Sequence, residues 1–173
     1  MPRKLHIGGI KERDGWEILN AQPGEGVSHV CDAINLSRFE NETFAEIYAS
    51  HILEHLDYTN DISLALKEWN RVLKQDGIVY ISVPDLDILA GLFLEKENFT
   101  INQRFEIMRI IFGGHTDEYD FHQSGLNLEF LTIFLRDAGF LNINKVDNFG
   151  LFNDMSNTTV GGKLISLNVT AKK

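Results

Sequence analysis

The sequence holds a single cysteine, Cys31, so no disulfide can form within the chain and a multi-cysteine zinc site is excluded. Long hydrophobic runs are missing as well. The longest, such as Ile78 to Val83, fall far short of the roughly 20 apolar residues that span a bilayer, so no membrane partner is expected. Basic residues are few: 16 Lys and Arg stand against 25 Asp and Glu, for a net charge of −9. An acidic surface repels phosphate backbones, and the scattered cations form no patch, so nucleic acid is not an expected partner. Repeats, linkers and low-complexity stretches are absent too. What remains is globular composition, 43% hydrophobic and 24% charged over 173 residues, which suits a single domain over residues 1–173. The basic start Met1-Pro2-Arg3-Lys4 leads into no apolar stretch of signal-peptide length, so the expected location is cytoplasmic.

Short apolar segments bounded by turn residues predict strands at Lys4 to Ile7, Trp16 to Leu19, Val27 to Cys31 and Phe44 to Ala49. Ile62, Ala65, Leu66, Trp69, Val72 and Leu73 follow the 3.6-residue period and predict a helix from about Asp61 to Lys74, capped at its end by Gly77. Ile78 to Val83 is nearly continuous apolar sequence, as in a central strand of a parallel sheet covered on both faces. A second helix is predicted at Asn127 to Ala138, with Asn127 as N-cap and Leu128, Leu131, Leu135 and Ala138 on one face. Phe140 to Val146 and Leu164 to Thr170 then read as strands joined by the polar loop Asn153 to Gly162. Strands alternating with helices indicate an α/β class: a Rossmann-like, doubly wound, mostly parallel sheet closed by an antiparallel C-terminal hairpin. Between Gly8 and Trp16 about eight residues span at most roughly 26 Å, too little for a strand-to-strand crossover through a helix. The first helix is therefore expected to be missing. The thinly covered sheet face is expected to be buried by the Ile101 to Phe112 segment or by the partner of a homodimer.

The stretch Phe44-Ala45-Glu46-Ile47-Tyr48-Ala49-Ser50-His51-Ile52-Leu53-Glu54-His55-Leu56 is followed by Ala65-Leu66-Lys67-Glu68-Trp69-Asn70-Arg71-Val72-Leu73-Lys74-Gln75-Asp76-Gly77. With Ile81-Ser82-Val83-Pro84-Asp85, Phe121-His122-Gln123-Ser124-Gly125 and Arg136-Asp137-Ala138-Gly139-Phe140 in the same order, the chain resembles the class I S-adenosylmethionine-dependent methyltransferases. The likeness is strongest to the small type 11 members. This resemblance implies S-adenosylmethionine as cofactor, held by Gly8 and Gly9 after the first strand and by Asn20 after the second. It also implies contacts from Asp32 and Ala33 after the third strand and from Ser50 and His51 after the fourth. Where the family carries three spaced glycines, this chain has Gly8-Gly9 followed by Ile10-Lys11-Glu12; Asn20 replaces the usual carboxylate, and Ala45 a frequent Asp.

Methyl transfer is a direct displacement that mainly requires alignment and needs no metal, so no metal is assigned. A base helps if the acceptor hydroxyl or amine loses a proton, and His122, Asp85 and His51 are the catalytic candidates. Asp85 is equally suited to cap a helix beginning near Leu86. The loop carrying His115, Asp117, Glu118, Tyr119, Asp120 and His122 suits a substrate lid. The reading is a methyltransferase acting on a small-molecule or glycan acceptor. A binding or scaffold protein of the same fold without turnover is the alternative, motivated by the altered glycine run. A third reading, a metal-dependent hydrolase, would use His51, His55 and His122 as ligands, although His-Ile-Leu-Glu-His departs from the His-Glu-x-x-His order of zinc peptidases.

Overall fold

A computed structural model describes residues 2–10 and 12–173. Strands β1 (Lys4–Ile7), β2 (Trp16–Asn20), β3 (His29–Val30) and β4 (Phe44–Ser50) precede helix α1 (Asp61–Val72) and strand β5 (Leu73–Pro84). Helices α2 (Leu86–Leu94), α3 (Ile101–Phe112) and α4 (Leu128–Asp137) follow, then β6 (Leu141–Val146), the hairpin β7 (Thr159–Val160) and β8 (Lys163–Leu164), and β9 (Ser166–Lys172). The main sheet runs β3-β2-β1-β4-β5-β9-β6. The first five of these strands pair in parallel, and β9 lies antiparallel between β5 and β6. The mostly parallel sheet with an antiparallel C-terminal closure is therefore present. No described residue between Gly8 and Gly15 is helical, as the short crossover requires.

Alternation along the strands separates the two faces. Leu5, Ile7, Ile47, Ala49, Val79 and Ile81 point to one side and build the main core with α1 and α4 through Trp69, Leu66, Leu131 and Leu135. Helix α4 begins as its sequence indicates, with the Asn127 side chain accepting the Phe130 amide at 2.9 Å. Leu128, however, is exposed rather than part of the packed face. No helix among the described residues follows β1, β2 or β3, so the opposite face, carrying His6, Trp16, Tyr48 and Tyr80, needs another cover. The chain's own segment 147–158 supplies it. Phe152 packs 4.5 Å from Tyr48 and 5.3 Å from Trp16, centroid to centroid, and Phe149 packs 5.6 Å from Tyr80. Tyr48 donates its hydroxyl hydrogen to Asp154 at 2.7 Å, and the Asn168 amide of β9 donates to the carbonyls of Asp147 and Ser156 at 3.0 and 2.9 Å. Burial pushes the Tyr48 hydroxyl pKa up, which keeps that donor hydrogen in place.

The expectation that Ile101 to Phe112 covers this face changes in consequence. Ile101 to Phe112 forms α3 and packs with α2 around Leu89, Leu92, Ile107 and Ile165 instead of covering the sheet. The face that motivated a dimer is closed within the chain. Nor does Gly77 cap α1: the helix stops at Val72, Leu73 is extended, and the chain enters β5 at once. Gly77 lies in a bulge, where pairing with β4 jumps from Phe44–Leu73 to Glu46–Ile78. There a Cβ would sit 2.7 Å from Leu73 Cγ and 2.8 Å from the Lys74 carbonyl, so only glycine fits.

Candidate functional site

A crevice of about 430 Å³ opens at the carboxyl ends of β1, β2 and β4. This is where the strand order reverses, with β1 pairing β2 on one side and β4 on the other, and where doubly wound sheets hold their ligands. Its floor is Ile7, Gly8 and Ile52; one side is Asn20 with Asp32, Ala33 and Ile34, and the facing side includes His51, His55 and Phe121.

Gly8 has φ of 77° and donates its amide to the Leu19 carbonyl at 2.7 Å, joining the ends of β1 and β2. A Cβ there would overlap the Ile52 side-chain tip, which would have to swing aside, so glycine is favoured first by its backbone angle and then by space. Gly9 is buried just behind the wall, where its carbonyl accepts from Asn20 Nδ2 at 3.1 Å. Asn20 Oδ1 accepts the Gln22 amide at 3.0 Å and keeps one lone pair for a ligand hydroxyl. Asp32 Oδ1 accepts the Ile34 amide at 3.0 Å in an Asx turn, and among the described residues its Oδ2 has no protein partner. Ala33 lies beside it in the wall.

Of the fourth-strand candidates, His51 lines the crevice, whereas Ser50 projects to the Tyr48 side of the sheet and lies outside it. His51 adopts φ of 56°, which turns the chain out of β4 into the 3-10 turn Leu53–His55. Its Nε2 lies 3.1 Å from Ser166 Oγ and its Nδ1 3.0 Å from a Glu54 carboxylate oxygen. Asp85 is placed as a helix cap. Its Oδ1 accepts from the Asp87 and Ile88 amides at the start of α2, and Oδ2 pairs with Lys145 Nζ at 3.2 Å, outside the crevice. His122 sits behind the wall formed by Phe121 and Gln123, with Nδ1 3.2 Å from the Ile111 carbonyl and its ring 4.8 Å from that of His55. Burial pushes the His122 pKa down, against a partial pull upward from the Glu54 carboxylate. The acidic loop does overhang the crevice, through Asp117, Glu118 and Tyr119.

A support behind the wall escaped the sequence reading. From α1, Trp69 Nε1 donates to the Ala33 carbonyl at 2.9 Å, and Arg71 donates to the carbonyls of Leu36 and Phe39 at 3.0 and 2.9 Å. Glu68 accepts the Leu36 amide at 3.0 Å and grips Arg71 through both carboxylate oxygens, at 2.7 and 2.9 Å. The three-residue spacing of Glu68 and Arg71 is visible in the sequence; the carbonyls they hold are not.

The sheet order, the crevice at the switch point and the glycine at its floor together define a Rossmann-like fold of the methyltransferase type. Residues 16–81 match the family model described as a methyltransferase domain. The matched span is 66 of the 173 residues, and S-adenosylmethionine is the cofactor that such a domain implies. No curated protein matches the sequence. Among solved structures, a possible exported protein from Bordetella parapertussis is similar at TM-score 0.62 and 10% identity, over 99% of this chain and 62% of that one. This chain thus spans less than two thirds of that protein. A SAM-dependent methyltransferase from Archaeoglobus fulgidus superposes at TM-score 0.61 and 18% identity, over 99% and 86% of the two chains. The Burkholderia thailandensis 1,6-didemethyltoxoflavin-N1-methyltransferase, with bound 1,6-didemethyltoxoflavin and S-adenosylhomocysteine, superposes at TM-score 0.57 and 14% identity, over 99% and 71%. At these identities the likeness is one of fold.

The residues present fit S-adenosylmethionine. The bare backbone at Gly8 permits close approach, the remaining Asn20 lone pair and Asp32 Oδ2 can accept from hydroxyl or amino groups, and Asp32, Asp61, Asp117 and Glu118 give the wall four carboxylates with no Lys or Arg among the described residues. That charge suits a sulfonium and an ammonium group.

Proposed function

We propose that this protein is an S-adenosylmethionine-dependent methyltransferase acting on a small-molecule or glycan-type acceptor that carries no phosphate. The observation that carries this reading is the crevice itself, placed at the switch point, floored by a glycine of positive φ and walled by carboxylates without a balancing cation among the described residues. S-adenosylmethionine supplies, when bound, an electrophilic methyl group whose leaving thioether is neutral. Gly8, Asn20, Asp32 and Ala33 hold it, and the Asp117–Tyr119 loop across the crevice orients the acceptor and excludes water. Of the three candidates only His51 lines the crevice, beside His55, and to it a hydroxyl or amine acceptor could lose its proton; Asp85 and His122, outside the crevice, act on that chemistry only through the elements they position. A neutral or cationic acceptor is favoured over an anionic one by the same four carboxylates.

Calorimetric titration with S-adenosylmethionine and S-adenosylhomocysteine tests the reading. Binding in the micromolar range that Asp32→Ala weakens by tenfold or more is expected, since a hydrogen bond to a charged group contributes about 1.5–3 kcal/mol. Absence of binding at millimolar ligand would overturn it. Binding without turnover across neutral and cationic acceptors would favour the alternative, a methyltransferase-fold binding or scaffold protein.

A further inference from the structure

We propose that Glu54, His55 and His122 form a binding site for a divalent transition cation of the zinc class, joining the 3-10 turn after β4 to the loop before α4. One ligand atom from each of the three residues lies within 4.8 Å of the others. The site goes beyond the methyltransferase reading and uses a different set of residues from a three-histidine site, with Glu54 in place of His51.

The carboxylate carries the argument. Glu54 is 1% exposed, and neither of its carboxylate oxygens has a hydrogen-bond partner among the described residues. A buried, unpaired carboxylate is costly enough that some cation or donor must compensate it. His51 Nδ1 comes within 3.0 Å of Oε1 but without hydrogen-bond geometry. Nor does a neutral His51 offer a hydrogen there: Ser166 Oγ donates to the Met155 carbonyl at 2.9 Å, so it accepts from His51 Nε2, which then carries the ring's hydrogen.

The two imidazoles are arranged as ligands. His55 Nδ1 lies 3.2 Å from the Phe121 carbonyl, and His122 Nδ1 lies 3.2 Å from the Ile111 carbonyl. A carbonyl can only accept, so in both rings Nδ1 bears the hydrogen and Nε2 is left as a lone pair, the tautomer that metal-bound histidines keep through a backbone carbonyl. The framework is fixed beforehand. The Gln123 and Ser124 amides donate to the Glu54 carbonyl at 2.8 and 3.1 Å, and Gln123 Nε2 donates to the His55 carbonyl at 2.8 Å. Two imidazole nitrogens and one carboxylate suit zinc, cobalt or iron(II) rather than calcium or magnesium, and three protein ligands leave a coordination position open.

The test uses untagged, chelator-stripped protein. Zinc titrated by calorimetry should bind at one equivalent with micromolar or tighter affinity. His55→Ala and His122→Ala should each weaken it at least tenfold, and His115→Ala, in the same loop but outside the cluster, should leave it unchanged. Cobalt(II) gives an independent readout on the unaltered chain: intense visible bands of a four- or five-coordinate site, displaced by zinc, are expected. No stoichiometric zinc binding, the weak bands of octahedral cobalt, or equal affinity in the histidine variants would each overturn the proposal. S-adenosylhomocysteine binding, measured on the same samples, reports separately on the methyltransferase reading.

Discussion

Acid should destabilise this protein through one buried imidazole. His6 lies on β1 with its ring centroid 5.0 Å from that of Tyr48 and 4.2 Å from that of Phe152, and it is 8% exposed. Burial disfavours the imidazolium and, against a weaker upward pull from the Asp154 carboxylate, lowers the pKa from 6.5 to about 4. The unfolded chain therefore takes up a proton near pH 6.5 that the folded chain refuses until about pH 4. Between those values the unfolded state binds more protons, so stability rises with pH and is lost as pH falls; above the unfolded value the contribution is flat. At about 1.4 kcal/mol per pH unit the whole window amounts to roughly 3 kcal/mol, a large share of the roughly 5–15 kcal/mol that holds a domain folded. Urea unfolding at constant ionic strength, run at intervals from about pH 7 to about pH 4.5, measures it for the native chain and for His6→Leu. The leucine removes a ring nitrogen, Nδ1, that has no partner among the described residues, so the variant should fold. Subtracting its curve removes the other histidines, and Glu17, which hydrogen bonding to Arg3 holds down at about 2, titrates mostly below the window. Parallel curves for the two proteins would refute the assignment.

Two further substitutions probe the crevice. Gly8→Ala imposes a side chain at φ of 77° and onto Ile52, so it should cost about 1–3 kcal/mol in urea unfolding and abolish S-adenosylhomocysteine binding; added Ile52→Ala should recover part of both. Arg71→Ala frees the carbonyls of Leu36 and Phe39 and leaves Glu68 without its cation, holding only the Leu36 amide, which should cost about 2 kcal/mol and weaken cofactor binding at the Asp32–Ala33 turn without touching it. Unchanged affinity in a folded Arg71→Ala protein would show that α1 does not position that turn.

The sheet and its two amphipathic helices were legible because their signals are local: period, alternation, the Asn127 cap, and a loop after β1 too short for a helix. The end of α1 was not. A glycine after a helix reads as a cap, but here Leu73 already pairs with Phe44, and tertiary pairing overrides the local signal. The site divided in the same way. Gly8, Asn20, Asp32, Ala33 and His51 follow from their places at strand ends, and all five line the crevice. Gly9, Ser50, Asp85 and His122 lie outside it, for reasons set by side-chain direction and by partners distant in sequence, such as Lys145 and the Ile111 carbonyl.

The shortened N-terminal half shifts the burden of holding the crevice. Among the described residues no helix directly follows β1, β2 or β3, so those strand ends have no rigid element of their own to fix the loops that follow them. Two devices replace it, one on each face of the sheet. On one face, Trp69 and Arg71 reach from α1 to the carbonyls of residues 33–39. On the other, the aromatic contacts of Phe149 and Phe152, fastened by Tyr48 to Asp154 and by Asn168, cover β1, β2 and β4. Both devices are anchored on β4, α1, β5 and β9, the elements with the strongest sequence signals. A loop that owes its position to such distant anchors tolerates loss of its local helix, which is why a crevice can persist here beside an incomplete glycine run.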